Sequence, residues 1–350
     1  MLSAYKSRDR CSLLLLIVVI IAFCGSGQSS LLHPYEYEHQ KLASKPDSFL
    51  PGSVGELERR IPRYVEPLDY FIRIRPYFPE KITNAVAHNS SLNMTFDGIS
   101  TFVFRANEPR MNVTLHSSRL NYTSVKVMHG DGSVMDANAN FTFNITLEHI
   151  IIHLKQELVT DETYMIQFVY KGGIHDYLET GLYYSPVWIE GEKIFLLATH
   201  MEPARARWVF PCLDEPAYKA VFHITLIYPK GLVALANAME RPPVPVKSFP
   251  NWDVIQFPPS LRMSTYLVAF AIGDYENQET YTEDGTLIRI WGWRGQKKYL
   301  EWAKTITPKC LYQLGQYTNF KYPGDKSGEL VLHRSFNLLL QLSKLLTTII

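Results

Sequence analysis

An excess of charge of one sign is missing. Lys and Arg number 35 against 34 Asp and Glu, a formal net charge of +1 over 350 residues. A nucleic-acid partner calls for a basic excess to offset phosphates, so that class is excluded. Cysteine is scarce: there are four, and Cys11 and Cys24 belong to an N-terminal apolar region. Cys212 and Cys310 are too few for a disulfide scaffold, and buried free thiols are the expectation for both. Long apolar runs are missing too. Leu13 to Cys24 covers 12 residues, short of the roughly 18 that a membrane span requires. No G-x-S-x-G run and no Gly-rich phosphate loop occurs, which removes the serine-hydrolase elbow and the common nucleotide sites. No helix-length amphipathic pattern appears before residue 296. What remains is a chain that is 46% hydrophobic and 20% charged. That composition excludes disorder, and the length allows two domains.

The apolar run follows Lys6, Arg8 and Arg10 and precedes Gly25, Ser26 and Gly27. A basic start, a short apolar centre and small residues behind it describe a secretory signal in 1–27, either cleaved or retained as an anchor. In both cases the rest of the chain enters the secretory lumen, and a retained anchor makes the membrane a partner. Six Asn-x-Ser/Thr sequons agree: Asn89, Asn93, Asn112, Asn121, Asn140 and Asn144. Glycans must face solvent, so 89–146 is expected on an open surface.

Residues 28–55 are polar with Pro46, Pro51, Gly52 and Gly55, and read as a stalk. From Ile61 to Ile272 short strand patterns alternate with turn signals, among them 70–78, 100–106, 124–134, 163–172, 221–229 and 264–275. "HGDG" (129–132) between alternating segments predicts a hairpin. "FHITLIY" (222–228) alternates only partly, as a strand buried on both faces would. The fold class is therefore mainly β, a sandwich over about 56–275. A strand at 286–293 and a helix from Lys297 to Phe320 then open an α/β unit over 276–323. Leu300, Ala303, Ile306, Cys310, Leu311 and Leu314 form the expected buried helical face, and Pro308 predicts two helices or a kink.

The most specific stretch is "THMEPARARWVFPCLDEPAYKAVFHITLIYPKGLVALANAM" (199–239). It resembles the aminopeptidase N-like family of zinc metallopeptidases, where the run is close to T-Q-F-E-P-T-D-A-R-x-x-F-P-C-F-D-E-P-A-F-K-A-x-F. Pro211, Cys212, Asp214, Glu215, Pro216, Ala217, Lys219, Ala220 and Phe222 match. "IPRYVEPLDYFIRIRPYF" (61–78), "YKGGIHDYLETGLYYS" (170–185), "MSTYLVAFAIGDYE" (263–276) and "NFKYP" (319–323) resemble further blocks in family order. The resemblance implies an N-terminal β-sandwich packed on a thermolysin-like domain, and release of single amino-terminal residues from peptides. It implies that Glu202 binds the substrate's free α-amine. His200 stands where the family has Gln, and Arg205 where it has Asp. Asp214 and Glu215, in a Pro-flanked turn, are expected to be structural.

The family's zinc sits on H-E-x-x-H with a second Glu further on, preceded by G-x-M-E-N. Neither run occurs in these 350 residues. No catalytic residue, metal ligand or cofactor is therefore assigned to this chain. The expectation is an incomplete, inactive form, with residues 324–350 a tail that matches nothing in the family. Leu338, Leu342, Leu345 and Ile349 repeat there at helical spacing. The alternative is a glycosylated module that captures peptide amino ends without hydrolysis, alone or beside a full-length relative. His149 and His153 have metal spacing for a helix, but Ile150 to Ile152 favour a strand. On a strand, positions four apart lie too far along the chain for that chelate, so both are expected to be partly exposed strand histidines.

Overall fold

The computed structural model describes residues 60–77, 94–176, 180–324, 326–331 and 339–341. The signal region, the stalk, Asn89, Asn93, Leu338, Leu342, Leu345 and Ile349 lie outside them. Among the described residues no helix is long and apolar enough to cross a membrane.

The chain is mainly β, as its alternating patterns predict. It lays down β1 (Val65–Tyr77), β2 (Thr95–Ala106), β3 (Asn112–His116), β4 (Leu120–His129), β5 (Val134–Asp136), β6 (Phe141–Asn144) and β7 (His149–His153). Then come β8 (Thr163–Gly173), β9 (His175–Asp176), β10 (Gly181–Ile189), β11 (Glu192–His200), β12 (Val221–Pro229), β13 (Val233–Ala236), β14 (Val244–Val246) and β15 (Phe249–Gln256). The "HGDG" turn joins β4 to β5, with Gly132 at φ +88° and its N–H donating to the His129 carbonyl at 3.0 Å. Glu190 and Gly191, at φ +51° and +85°, turn β10 into β11. Two positive φ values in a row are what a tight hairpin of matching twist requires.

An eight-stranded sheet runs β14-β15-β12-β1-β2-β8-β4-β5. All its pairings are antiparallel except β1 with β12, where Tyr70 faces Phe222 and Ile72 faces Ile224 in parallel register. The core side carries Tyr70, Phe102, Phe104, Phe168 and Phe222, all at most 1% exposed. Tyr70 stacks on Phe102 at 4.9 Å and on Phe222 at 5.2 Å. A five-stranded sheet holds β13, β11, β10, β9 and β16 (Phe270–Gly273). Here alternation divides apolar residues between two cores. Leu197, Ala234, Ala236, Phe270 and Ile272 face the large core. Leu196, Ala198, Leu235 and Ala271 face a second cluster with Tyr275, Trp291, Trp293 and Leu330. The strands buried on both faces are thus β11, β13 and β16. "FHITLIY" in β12 is buried on one face only, with His223, Thr225 and Ile227 half-exposed.

The strand expected over 264–275 is interrupted. Thr265–Leu267 form a 3₁₀ turn before β16. Asn237 bridges the break, its Nδ2 donating to the Leu267 carbonyl at 2.9 Å and its Oδ1 accepting from the Ala269 N–H at 2.8 Å. A side-chain amide supplies there what a neighbouring strand supplies elsewhere.

Beyond it, β17 (Tyr275–Tyr281) pairs with β18 (Leu287–Trp293), and α1 (Glu301–Thr318) follows. Pro308 lies inside one helix rather than between two, because losing one backbone bond leaves Leu300 packed on Ile288 and Ile290 with Ala303 and Leu311 beside it. The expected buried face is half covered: Ala303, Ile306, Cys310, Leu311 and Leu314 keep partial exposure. Cys310 is a free thiol but not a buried one, whereas Cys212 is both. Asn319 ends the helix at φ +53°, and the Phe320 N–H donates to the Gly315 carbonyl at 3.1 Å.

The α/β unit continues past 323. Strand β19 (Lys326–Val331) pairs in parallel with β18, and β20 (Leu339–Gln341) pairs with β19. Residues 326–331 are therefore part of the same sheet as 287–293. The Lys326 side chain is 2% exposed and ion-paired to Glu240, which also accepts from Arg289 at 2.5 Å. Burial holds the Lys326 pKa below its ordinary value, with Glu240 opposing. Replacing Lys326 by methionine leaves Glu240 its Arg289 partner, so a stability loss of about 1–3 kcal/mol is expected. A thermal melt of Lys326→Met that overlays the parent would show that 326–331 is not part of the folded unit.

Candidate functional site

Glu202 lies where β11 ends. Met201 is 1% exposed and anchors the chain in the large core, and Glu202 and Pro203, joined by a cis peptide, stand out in solvent. The chain then turns back, the Arg205 N–H donating to the Met201 carbonyl at 2.7 Å. Ala206–Trp208 form a 3₁₀ turn that re-enters the core through Ala206 and Trp208. His200, paired with Gly181 across the β10–β11 hairpin, is half-buried beside this loop.

The segment behind Glu202 is fixed by a buried ionic clasp. Arg207 donates from Nε to Asp214 Oδ2 at 3.0 Å and from a terminal nitrogen to Glu148 Oε2 at 3.1 Å. The Asp214 side chain is 1% exposed, and its other oxygen accepts from Thr265 Oγ1 at 2.8 Å. The Asp214 N–H donates to His116 Nδ1 at 3.1 Å, so that nitrogen carries no proton. Glu215 accepts from the Ile61 N–H at 2.8 Å, and the Leu213 N–H donates to the Tyr70 hydroxyl at 3.1 Å. His116 and Cys212 exchange both backbone bonds, at 2.8 and 3.1 Å. Five chain segments thus meet at one run of nine residues, 207–215, which is why Asp and Glu are needed inside a Pro-flanked turn. Burial pushes the Cys212 thiol well up, so it stays protonated and inert.

Trp208 organises the solvent side. The Arg119 and Arg205 guanidinium carbons lie 3.7 and 4.3 Å from its ring centroid, and the His175 ring packs edge-on at 5.3 Å. Gly181, at φ +85°, lets β10 pass the indole: a Cβ there would sit 3.3 Å from Trp208 Cβ.

The structure places Glu202 and Arg205 on one loop and His200 at the end of β11, just before it. His149 and His153 lie on β7, a strand, as the β-branched run predicts, although His149 is fully buried rather than partly exposed. Among the described residues no group of three or more His, Cys, Asp or Glu converges as a metal ion would need. Sequence reading passed over Glu148 and His116 as site residues. His116 joins the clasp from β3 and Glu148 from the turn before β7, both far along the chain, and no local spacing marks them.

A family model described as the Peptidase M1 N-terminal domain matches residues 66–267, more than half of the chain. The chain belongs to the aminopeptidase N-like M1 family. The similarity extends to individual members. A protein named putative aminopeptidase-2 from Caenorhabditis elegans is 37% identical over 319 residues, covering 87% of this chain and 16% of the worm protein. Human aminopeptidase N is 33% identical over 281 residues, and canine aminopeptidase N 34% over the same length; each covers 78% of this chain and 28% of the relative. The chain spans less than a third of the length of these M1 relatives. The family match takes in the Glu202 loop and all of the clasp except Ile61.

Proposed function

We propose that this chain supplies the β-domain part of a zinc aminopeptidase site, and that Glu202 holds the α-ammonium of a peptide. The supporting observation is the exposed carboxylate on a loop whose next residues are pinned by the Arg207–Asp214 clasp. A fixed carboxylate favours a free amino terminus over an acylated one, because only the first carries the charge that strengthens the hydrogen bond. Names of the relatives point to the same chemistry. Among the described residues no group of His, Cys, Asp or Glu converges to hold the zinc. The 350 residues bind the amino end and do not hydrolyse the peptide.

The full chain, purified from a secretory host, tests this directly. Calorimetry is expected to show a free peptide binding about tenfold more tightly than its N-acetylated form, with Glu202→Gln removing most of the difference. Equal affinities, or stoichiometric zinc accompanied by amino-acid release, would end the proposal.

The luminal location is part of the same reading. Asn121 and Asn140 are exposed, and Asn112 and Asn144 half-exposed. Asn144 Oδ1 accepts from the Leu147 N–H at 3.1 Å, which directs its Nδ2 away from that turn. N-glycosidase treatment of the secreted chain is expected to increase its gel mobility in several steps during partial digestion; a single unchanged band would contradict it.

A further inference from the structure

We propose that the free edge of β6 is a self-association site for a second copy of this chain, and that N-linked sugars at Asn140 and Asn144 keep it closed. The inference rests on the luminal reading of the chain and extends it to what two of the sequons do.

The strands β3, β7 and β6 form a small sheet in that order, and among the described residues no strand pairs with β6 on its far side. The His153 N–H donates to the Asn140 carbonyl at 2.9 Å, and Phe141 stands opposite Ile152. Bonding alternates along an antiparallel pair, so Asn140, Thr142 and Asn144 turn their backbone groups towards β7. Phe141 and Phe143 turn theirs to the open side. Apolar side chains accompany this open backbone. Phe141 packs on the large core, but Phe143 is 47% exposed and Ile145 88%. No charged residue, proline or glycine occurs in 137–147. An uncharged strand of aromatic and polar β-formers at an unpaired edge is a template for another chain.

A second copy fits because the edge is self-complementary. When two β6 strands meet antiparallel about a two-fold axis at Phe143, its N–H and C=O face the C=O and N–H of Phe143 in the second copy. The two rings become a cross-strand aromatic pair, and neither strand brings a charge that repels the other. Edges of this kind are ordinarily blunted by a lysine, a proline or a bulge. The pairing of β6 shows no register shift, and the strand contains neither residue. It has a sequon at each end instead. Asn140 and Asn144 bracket β6 on the face away from the core, four residues or about 14 Å apart. A sugar chain there is bulky and hydrated, and it bars a flat strand from lying alongside.

The test compares the glycosylated full chain with two pairs of substitutions. Asn140→Gln with Asn144→Gln removes both sequons; Thr142→Ala with Thr146→Ala removes them through other atoms. Intact mass reports sugar occupancy, melting curves report folding, and sedimentation equilibrium reports association. The parent is expected to stay monomeric. Both pairs are expected to reach twice its protein mass with a dissociation constant of roughly 10–100 μM, as suits a contact below standard interface size. Adding Phe143→Lys or Ile145→Lys to either pair is expected to restore the monomer, and Asn121→Gln alone to leave it unchanged. Sugar-free folded pairs that stay monomeric overturn the inference, as does a dimer that both lysine variants leave intact. A glycosylated parent that is itself dimeric, or dimerisation of Asn121→Gln, overturns the closing role of Asn140 and Asn144. Bare asparagines at 140 and 144 in the secreted parent defeat the reading of these sequons separately. A bare parent that dimerises until Phe143→Lys is introduced still supports the edge site, and a bare monomeric parent overturns it.

Discussion

Arg207→Leu is expected to destabilise the β-domain by about 3–5 kcal/mol, because it strands the Asp214 carboxylate in the core. Asp214 would keep Thr265 Oγ1 at 2.8 Å and lose the Arg207 guanidinium. For a domain of this size that loss lowers the melting temperature by roughly 6–20 °C. Glu148, two-thirds shielded from solvent, loses its partner as well and adds to the cost. The double replacement Arg207→Leu with Asp214→Val removes both charges of the fully buried pair and leaves only the part-exposed Glu148 without its cation. It is expected to be less destabilising than Arg207→Leu alone. With Asp214→Val alone added, thermal denaturation of the three variants and the parent measures the coupling. A single variant within a degree of the parent would mean that the clasp carries no weight.

Alkaline pH should unfold the protein over a narrow range above pH 10. Burial pushes the phenols of Tyr77, Tyr218 and Tyr228 up to about 12. The same cause raises Tyr64, Tyr70, Tyr164, Tyr170 and Tyr275. A folded-state pKa above the unfolded one means that the stabilisation is complete below pH 10. It is lost as pH rises from about 10, where the unfolded phenol ionises, to about 12. Each group shifted by two pH units contributes up to about 2.7 kcal/mol, and solvent screening brings the three together to roughly 4–8 kcal/mol. Lys326, with its pKa lowered, works in the opposite direction as a single group. The melting temperature is thus expected to stay level from pH 8 to 9.5 and to fall steeply above 10. Phenolate absorbance should rise together with loss of structure. Ionisation of most tyrosines near pH 10 with the fold intact would refute it.

Much of the sheet architecture was legible along the chain because its cause is local. Period-two alternation in 65–77, 95–106 and 163–173 produces β1, β2 and β8. Three β-branched residues at 150–152 make a strand of a stretch whose histidines are spaced like metal ligands. Where reading failed, the cause lies far away in sequence. Nothing near Lys326 indicates that its ammonium meets Glu240 in the β-domain, so 324–350 read as a tail. Nothing in the 148–153 run shows that Glu148 belongs to Arg207, 59 residues on. Continuous helix through Pro308 follows from packing on Ile288 and Ile290, which the helix sequence does not contain. Glu202 could be singled out only through the resemblance of its motif; an exposed loop carboxylate has no signature of its own.

The parallel pairing of β1 with β12 bears on how the protein is made. Strand β1 sits in the middle of the eight-stranded sheet, yet one of its two neighbours begins only at Val221. While the ribosome is still delivering β2 through β11, the bonding groups on that side of β1 have no partner. A long strand with one apolar face and an unpaired edge is in this state an open template for another chain. Sheet closure and the Asp214 clasp then arrive almost together, because Asp214 precedes Val221 by only a few residues. The order of synthesis therefore makes closure of this sheet a late step, which waits until Val221 has emerged.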